Sequence, residues 1–425
     1  MKKTKLLSTI FGSGVLLASA PIVATSCTSD SDSKENYCIV NNEKISLPTT
    51  LTQGDINGLI STPYTYAKDV TRASILVNNE FVPADLVTEL QIGQTDGVVN
   101  IPNGFLYGCS HLKTLNLKNV QVESFTSDSF FPSSESNLQF SNLTKFSVPT
   151  IVSEEASIGD NFLTYFKTLK TVDLSGFNKV TNIGDYFLAT CKSLTKVDFS
   201  PMTSLITIGG YCLNNDISLT EVDLNGLTSL TTIGMEFVAG CSFLTDIKNF
   251  NTLTSLKTIG NYFANRTSLK SFKLSGLANL KSIDSYFLAD NFALTEVELS
   301  DLPQLQTIGY YFCSQVNISY TNGIEKLTLW NLPSLKQSTT STPDDYGFIG
   351  TFLYFTPNLK TVIFSDNMSA DMFYTDNSNV TAKSNTDPAY VNGVTIVGNA
   401  DFVNSFMEKF PNSTSPLRKL IASPR

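Results

Sequence analysis

The sequence predicts an α/β solenoid, a tandem array of short coils with a parallel sheet on one face and short helical turns on the other. Three observations carry that expectation. A hydrophobic motif recurs every 25 residues through the middle of the chain. Each copy contains strict apolar–polar alternation, and each places a glycine or a substitute at the same later position.

The clearest copies open at Leu169, Leu194, Leu219, Leu244, Leu269 and Leu294, each 25 residues after the last. In the first, Leu169-Lys-Thr-Val172-Asp-Leu174 is followed by Ile183-Gly184-Asp-Tyr186-Phe187 and then Cys191. Ile208-Gly209, Ile233-Gly234, Ile259-Gly260, Ile283-Asp284 and Ile308-Gly309 continue the second element, and Gly159 extends it backwards. Weaker copies flank these. Val87, Leu90 and Ile92 precede Ile101, Phe105 and Cys109, while Leu112, Leu143, Ile324 and Leu359 open stretched units. Their extra residues lie near 126–142, 313–323 and 337–347, and about eleven units result.

Each unit has a physical reading. Leu-x-x-Val-x-Leu is a short strand with one buried face, and stacking such strands makes a parallel sheet with inward ladders. The glycine after Ile suits a tight bend or close approach of neighbouring coils. Asp284 fits that column through its tolerance of unusual φ. Tyr-Phe-Leu-Ala-x-Cys reads as one helical turn, with Phe187, Phe237 and Phe287 plugging the core.

The pattern Leu-x-x-Val-x-Leu…Ile-Gly-x-x-x-Phe…Cys-x-x-Leu resembles leucine-rich repeats of the BspA-like type, from residue 87 to about 365. The resemblance implies a curved α/β solenoid on cell-surface proteins that adhere to or bind macromolecular partners. It brings no catalytic residues to carry over.

Cys109, Cys191 and Cys241 share one column, which other units fill with Asp216, Arg266 or Asn291. Cys191 and Cys241 are two coils apart, about 9.5 Å at the strand spacing. A disulfide needs Cα atoms within about 7 Å, so these are expected to be free, buried thiols.

The N-terminus reads as a targeting segment. Lys2, Lys3 and Lys5 precede the short apolar run from Ile10 to Ala20, and Val23-Ala24-Thr25-Ser26-Cys27 closes it. This resembles the lipobox of bacterial lipoprotein signal peptides, notably those of wall-less bacteria such as mycoplasmas, although most lipoboxes carry Leu or Val where Ala24 stands. The resemblance implies cleavage before Cys27 and a diacylglyceryl group on its thiol, holding the protein at the extracellular face of the cell membrane. The domain plan is therefore a signal peptide over 1–26 and a lipid-anchored tether over 27–37. An N-terminal cap over 38–86, the solenoid over 87–365, a C-terminal cap over 366–411 and a tail over 412–425 follow. The C-terminal cap is read as a strand at Val394–Gly398 followed by an amphipathic helix from Asp401 to Phe410.

Net charge is −9, and without residues 1–26 the 26 basic and 38 acidic residues give −12. Binding to a phosphate backbone needs a basic footprint, so nucleic acid is excluded as partner. His111 is the only histidine, and phosphate-loop and metalloprotease motifs are lacking. No catalytic residue, metal site or cofactor is expected.

Two outward features stand as candidate partner contacts. The position between Val and Leu of successive strands reads Asp173, Asp198, Asp223, Lys248, Lys273 and Glu298. Carboxylates stacked there lie about 4.8 Å apart, so a cation or basic partner would relieve their repulsion. Trp330, the only tryptophan, replaces the small polar residues Ser175, Ser200, Asn225, Ser275, Ser300 and Ser365 of its column. The reading is a surface module binding a host or neighbouring-cell surface protein or matrix component. The alternatives are a passive surface coat or variable antigen and, more weakly, a carboxylate-dependent hydrolase.

Overall fold

The computed structural model describes residues 34–60, 62–66, 70–106, 108–124, 142–309, 311–313, 323–335, 358–365, 395–401, 404 and 419–422. The targeting segment with Cys27, almost all the extra residues near 126–142, 313–323 and 337–347, and the apolar positions of the expected C-terminal helix lie outside these.

Every Leu-x-x-Val-x-Leu copy forms a short strand, because alternation places Val and Leu inward and their neighbours outward. In Glu296–Ser300, Val297 and Leu299 are buried, and in Lys326–Trp330 so are Leu327 and Leu329. Hydrogen bonds group this column into three sheets. The first runs Thr171–Asp173, Lys145–Ser147, Thr114–Asn116, Val87–Gln91, Tyr37–Val40 and Glu43–Ser46. Lys196–Asp198, Glu221–Asp223 and Asp246–Lys248 form the second. The third runs Ser271–Ser275, Glu296–Ser300, Lys326–Trp330, Thr361–Phe364, Thr395–Gly398 and Lys419–Ala422. Pairing within the repeats is parallel throughout. The expected tail thus carries one more strand, 419–422, in register with 395–398.

The isoleucine–glycine element is a second parallel sheet rather than a bend. Its seven strands are Ala156–Ile158, Val180–Ile183, Thr207–Ile208, Thr232–Ile233, Thr258–Ile259, Ser282–Ile283 and Thr307–Ile308. From Gly184 onwards, the glycines that follow meet the preceding coil closely. A Cβ on Gly209 would lie 2.5 Å from the Gly184 carbonyl carbon, and one on Gly234 as close to that of Gly209. None of these glycines has positive φ, so the column demands space and not a special dihedral. That corrects the reason given for Asp284, whose φ is also ordinary.

The third side of each coil is not helical. Tyr186, Leu188 and Thr190 have φ of 61°, 57° and 62°, alternating with residues that lack positive φ. Their amides donate across coils: Tyr186 to the Gly210 carbonyl at 2.8 Å, Thr190 to Asn214 at 2.8 Å and Leu188 back to Phe162 at 2.8 Å. A helix would satisfy those groups four residues away in its own strand of chain. Left-handed backbone costs about 1–2 kcal/mol per non-glycine residue. Inter-coil hydrogen bonds and buried aromatic contacts offset it here.

Phe162, Phe187, Phe237, Phe263, Phe287 and Phe312 project inward from these turns and are fully buried. Phe162 stacks on Phe187 at 5.4 Å, Phe237 on Phe263 at 5.6 Å, and Phe287 lies 5.1 Å from both Phe263 and Phe312. Truncating one such ring costs about 3–5 kcal/mol.

One register slip is hidden by compensation. Ile233 pairs with Ile259, 26 residues on, and Ile259 with Ile283, only 24 on. The inserted residue is Asn249, left-handed at φ 60°, which lets buried Phe250 take the place of the strand-end Leu224. The excess is lost before Leu269. Thr267 therefore occupies the cysteine column, not Arg266: its amide donates to Asn291 Oδ1 at 2.6 Å, as the Cys191 amide donates to Asp216 Oδ1 at 2.5 Å. All six cysteines of the described residues are free and buried, among them Cys109, Cys191 and Cys241 as expected. Burial pushes the Cys38 thiol up to about 12 and raises the others as well.

A terminal coil would expose its core, and the N-terminal hairpin covers it here. Tyr37–Val40 pairs antiparallel with both Glu43–Ser46 and Val87–Gln91. Asn36, 2 % exposed, stitches the junction: Nδ2 donates to the Pro48, Thr49 and Gln94 carbonyls, and Oδ1 accepts from the Gly93 and Gln94 amides. The same region holds a helix at Gln53–Gly58 with a Thr52–Asp55 capping box, and a three-stranded antiparallel sheet, Thr62–Tyr66, Val70–Val77 and Glu80–Pro83.

Candidate functional site

The outward face of the main strand column carries the candidate residues, and its register is set by the buried Val and Leu ladders beneath. Asp198 lies opposite Asp223, and Asp223 opposite Lys248. Lys273 lies opposite Glu298, followed by Thr328 and Ile363. Asp173 sits on a strand of the neighbouring sheet, paired with Ser147.

The three aspartates spend their carboxylates on their own backbone. Asp173, Asp198 and Asp223 each accept, through Oδ1, the amide of the residue two positions on, Ser175, Ser200 and Asn225, at 2.8–3.0 Å. Asp223 also accepts from Asn249 Nδ2 at 2.7 Å, which anchors the inserted residue. An Asp that closes the turn leaving its strand is a structural device. Lys118 reaches Asp173 at 3.8 Å.

Ion pairs run along the columns of this face, and one, Lys248 to Glu221, crosses between neighbouring columns. Glu221 lies between Lys196 at 3.5 Å and Lys248 at 2.8 Å. The hydrogen bond from Lys248 holds the Glu221 carboxyl below its ordinary range and raises the Lys248 ammonium in return. Lys273 bonds Glu298 at 2.9 Å and Lys326 bonds Glu296 at 2.7 Å. Desolvation opposes charge on Glu298, yet hydrogen bonds from Lys273 and Ser300 outweigh it and hold the carboxyl low. The face is therefore a charge-matched surface. Lys196, Glu221, Glu296 and Lys326, missed in reading the sequence, were findable two residues before the Asp/Lys column in each copy.

Trp330 lies opposite Ser300 at the end of its strand. Ser300 and Ser365 on either side are buried, whereas Trp330 is half-buried. The insertions expected to wall it fall outside the described residues. His111 sits away from this face, with Nδ1 donating to the Asp85 carbonyl at 2.8 Å, a contact to the N-terminal cap. Among the described residues, no three His, Cys, Asp or Glu side chains group so as to hold a metal ion.

Two columns of parallel strands, a turn ladder and a stacked phenylalanine core define a leucine-rich-repeat solenoid. The chain belongs to the BspA type leucine rich repeat region family, whose model matches in six copies over residues 78–153, 136–258 and 207–342. No curated protein matches it significantly. Among solved structures it is similar to a leucine-rich repeat protein from Bacteroides ovatus, at 16 % identity over 76 % of this chain and 97 % of that one, TM-score 0.36. A leucine rich cell surface protein from Faecalibacterium prausnitzii matches at 11 % identity over 86 % and 94 %, TM-score 0.23. The pneumococcal vaccine antigen PcpA matches at 14 % identity over 86 % and 100 %, TM-score 0.17.

Proposed function

We propose that this protein is a membrane-anchored surface lipoprotein whose solenoid binds a macromolecular partner, a surface protein or matrix component of a host or neighbouring cell. The observation that carries the reading is the outward sheet face. Lys248, Lys273 and Glu298 form a charge-matched polar field that ends at Trp330, a large aromatic in a column of small residues. Central aromatics with a charged surround are a common composition of binding hot spots. The turn-closing geometry of Asp173, Asp198 and Asp223 supports a structural role for those three, so the contact is assigned to the lysines, Glu298 and Trp330. Repeat architecture of this family and the lipobox-like junction at Cys27 support the surface location.

The test is capture of purified matrix and cell-surface proteins by the immobilised chain. Binding that saturates, weakens with salt and falls at least tenfold in Lys248→Glu/Lys273→Glu supports the reading. Uniform, unsaturable or charge-insensitive capture supports a passive coat instead. Anchoring is checked separately: Cys27→Ser is expected to leave the detergent phase and lose fatty-acid label.

A further inference from the structure

The turn ladder carries a second aromatic column, outside the phenylalanines. Tyr186, Tyr211, Tyr262, Tyr286 and Tyr311 share one position per coil, all left-handed with φ between 55° and 61°. Their rings stack along the solenoid: Tyr186 on Tyr211 at 4.6 Å and 4°, Tyr262 on Tyr286 at 4.4 Å and 7°, Tyr286 on Tyr311 at 4.9 Å and 20°. Glu236 interrupts the column, with the same left-handed backbone at φ 55°.

The backbone runs through this break undisturbed. The Tyr211 amide donates to the Met235 carbonyl at 2.7 Å, and the Glu236 amide to Asn261 at 2.7 Å. Tyr211 and Tyr262 therefore each have one face covered by a tyrosine and the other turned towards the Glu236 coil. Two ladder steps separate them, about 9–10 Å. Glu236 is shorter than tyrosine and carries no ring to fill the column, and its carboxylate accepts from Asn214 Nδ2 at 2.9 Å. Among the described residues Glu236 forms no ion pair. Arg266, whose charge also acts on Glu236, is engaged by Asp290 at 3.4 Å. The negative charge of Glu236 is close enough to raise the Tyr211 phenol.

We propose that this break is a slot for a quaternary ammonium head group, with Tyr211 and Tyr262 as its walls and Glu236 as the counter-charge. The dimensions select the ligand class. A trimethylammonium group is about 6 Å across, and carbon contact distances of ~3.5–4.0 Å add the half-thickness of a ring on each side. Its nitrogen then sits roughly 5 Å from both centroids, inside the ~6 Å range over which a ring face attracts a cation. A flat guanidinium stacks on one wall and leaves the other empty. The group has no N–H donors to satisfy, which suits a slot offering ring faces and one charge. This site is on the turn side, so it stands independently of partner binding by the sheet face.

Isothermal titration of the full chain with choline chloride tests it. Saturable one-site binding is expected, at least tenfold weaker in Glu236→Gln. Glu236→Tyr closes the ladder with another ring; it is expected to abolish binding while the thermal midpoint stays level or rises. The neutral isostere 3,3-dimethylbutanol is expected not to compete. Competition by phosphatidylcholine but not phosphatidylglycerol vesicles assigns a lipid head group as source, and failure of both assigns soluble ammonium compounds. No saturable binding by the parent chain, equal binding by Glu236→Tyr, or equal competition by the neutral isostere overturns the proposal.

Discussion

Phe199 fills the core space that Cys212 gives up. Cys212 stands where neighbouring coils place Phe187 and Phe237, and Phe199 stands where they place Leu174 and Leu224. The Phe199 ring lies 6.3 Å from both Phe187 and Phe237, bridging the break in the phenylalanine stack. The pair conserves volume across two columns, as a close-packed interior requires. Cys212→Phe alone is expected to overpack and cost about 1–3 kcal/mol. Adding Phe199→Leu restores the pattern of the neighbouring coils, so the double variant is expected to recover most of that loss in chemical denaturation. Additive losses would mean that the two side chains do not share one space.

Asp216 gives the chain a stability that depends on pH. It is fully buried in the cysteine column, with Oδ1 accepting the Cys191 amide and Oδ2 without a hydrogen-bond partner. Asn291, in the same column, donates its Nδ2 to the Ala264 and Leu288 carbonyls. A proton on Asp216 Oδ2 supplies the equivalent donor, and burial raises the folded-state pKa well above the ordinary aspartate range. Between the unfolded and folded values the folded chain holds the extra proton, so stability falls as pH rises through that window. Asp216→Asn is expected to remove this slope above about pH 4 and to stabilise the protein at pH 7. An unchanged slope in the variant would place the titration elsewhere.

The two glycines Gly159 and Gly209 occupy one column and are expected to respond oppositely to alanine. Gly159 has open space around an added Cβ, whereas at Gly209 the methyl would meet backbone of the preceding coil 2.5 Å away. Gly159→Ala is expected to be neutral or to stabilise by about 0.4–1 kcal/mol through the unfolded state. Gly209→Ala is expected to lose at least 1–3 kcal/mol, roughly the scale of core overpacking. Equal effects in thermal denaturation would mean that the coils are not in this close contact.

The main sheet was legible because Val172, Val197 and Val222 alternate with polar residues and so declare a buried face. The phenylalanine plugs were legible for the same reason of volume and spacing. Two-residue strands such as Thr207–Ile208 have no periodicity to read, so the second sheet was hidden. The run Tyr186–Ala189 is apolar in a way that fits a helical turn as well as a left-handed ladder, and only inter-coil hydrogen bonds distinguish them. Asn249 was missed because the Leu244-to-Leu269 step stays at 25 residues, although the 26- and 24-residue steps from Ile233 to Ile259 and on to Ile283 mark the slip. At the candidate site, the column and outward direction of Lys248, Lys273 and Trp330 could be read. The use of Asp173, Asp198 and Asp223 as turn-closing acceptors depends on backbone geometry two residues away, which spacing does not reveal.

Intrinsic fluorescence of Trp330 tests the binding account most directly, since it is the only tryptophan in the chain. In the free protein the half-buried indole is expected to be open to a soluble quencher. Titration with a captured partner is expected to shift its emission to the blue and shield it saturably, and Trp330→Ser to weaken capture by about 2 kcal/mol or more at an unchanged thermal midpoint. Quencher-resistant emission in the free chain, or full capture by Trp330→Ser, would contradict the assignment of this face as the partner-binding surface.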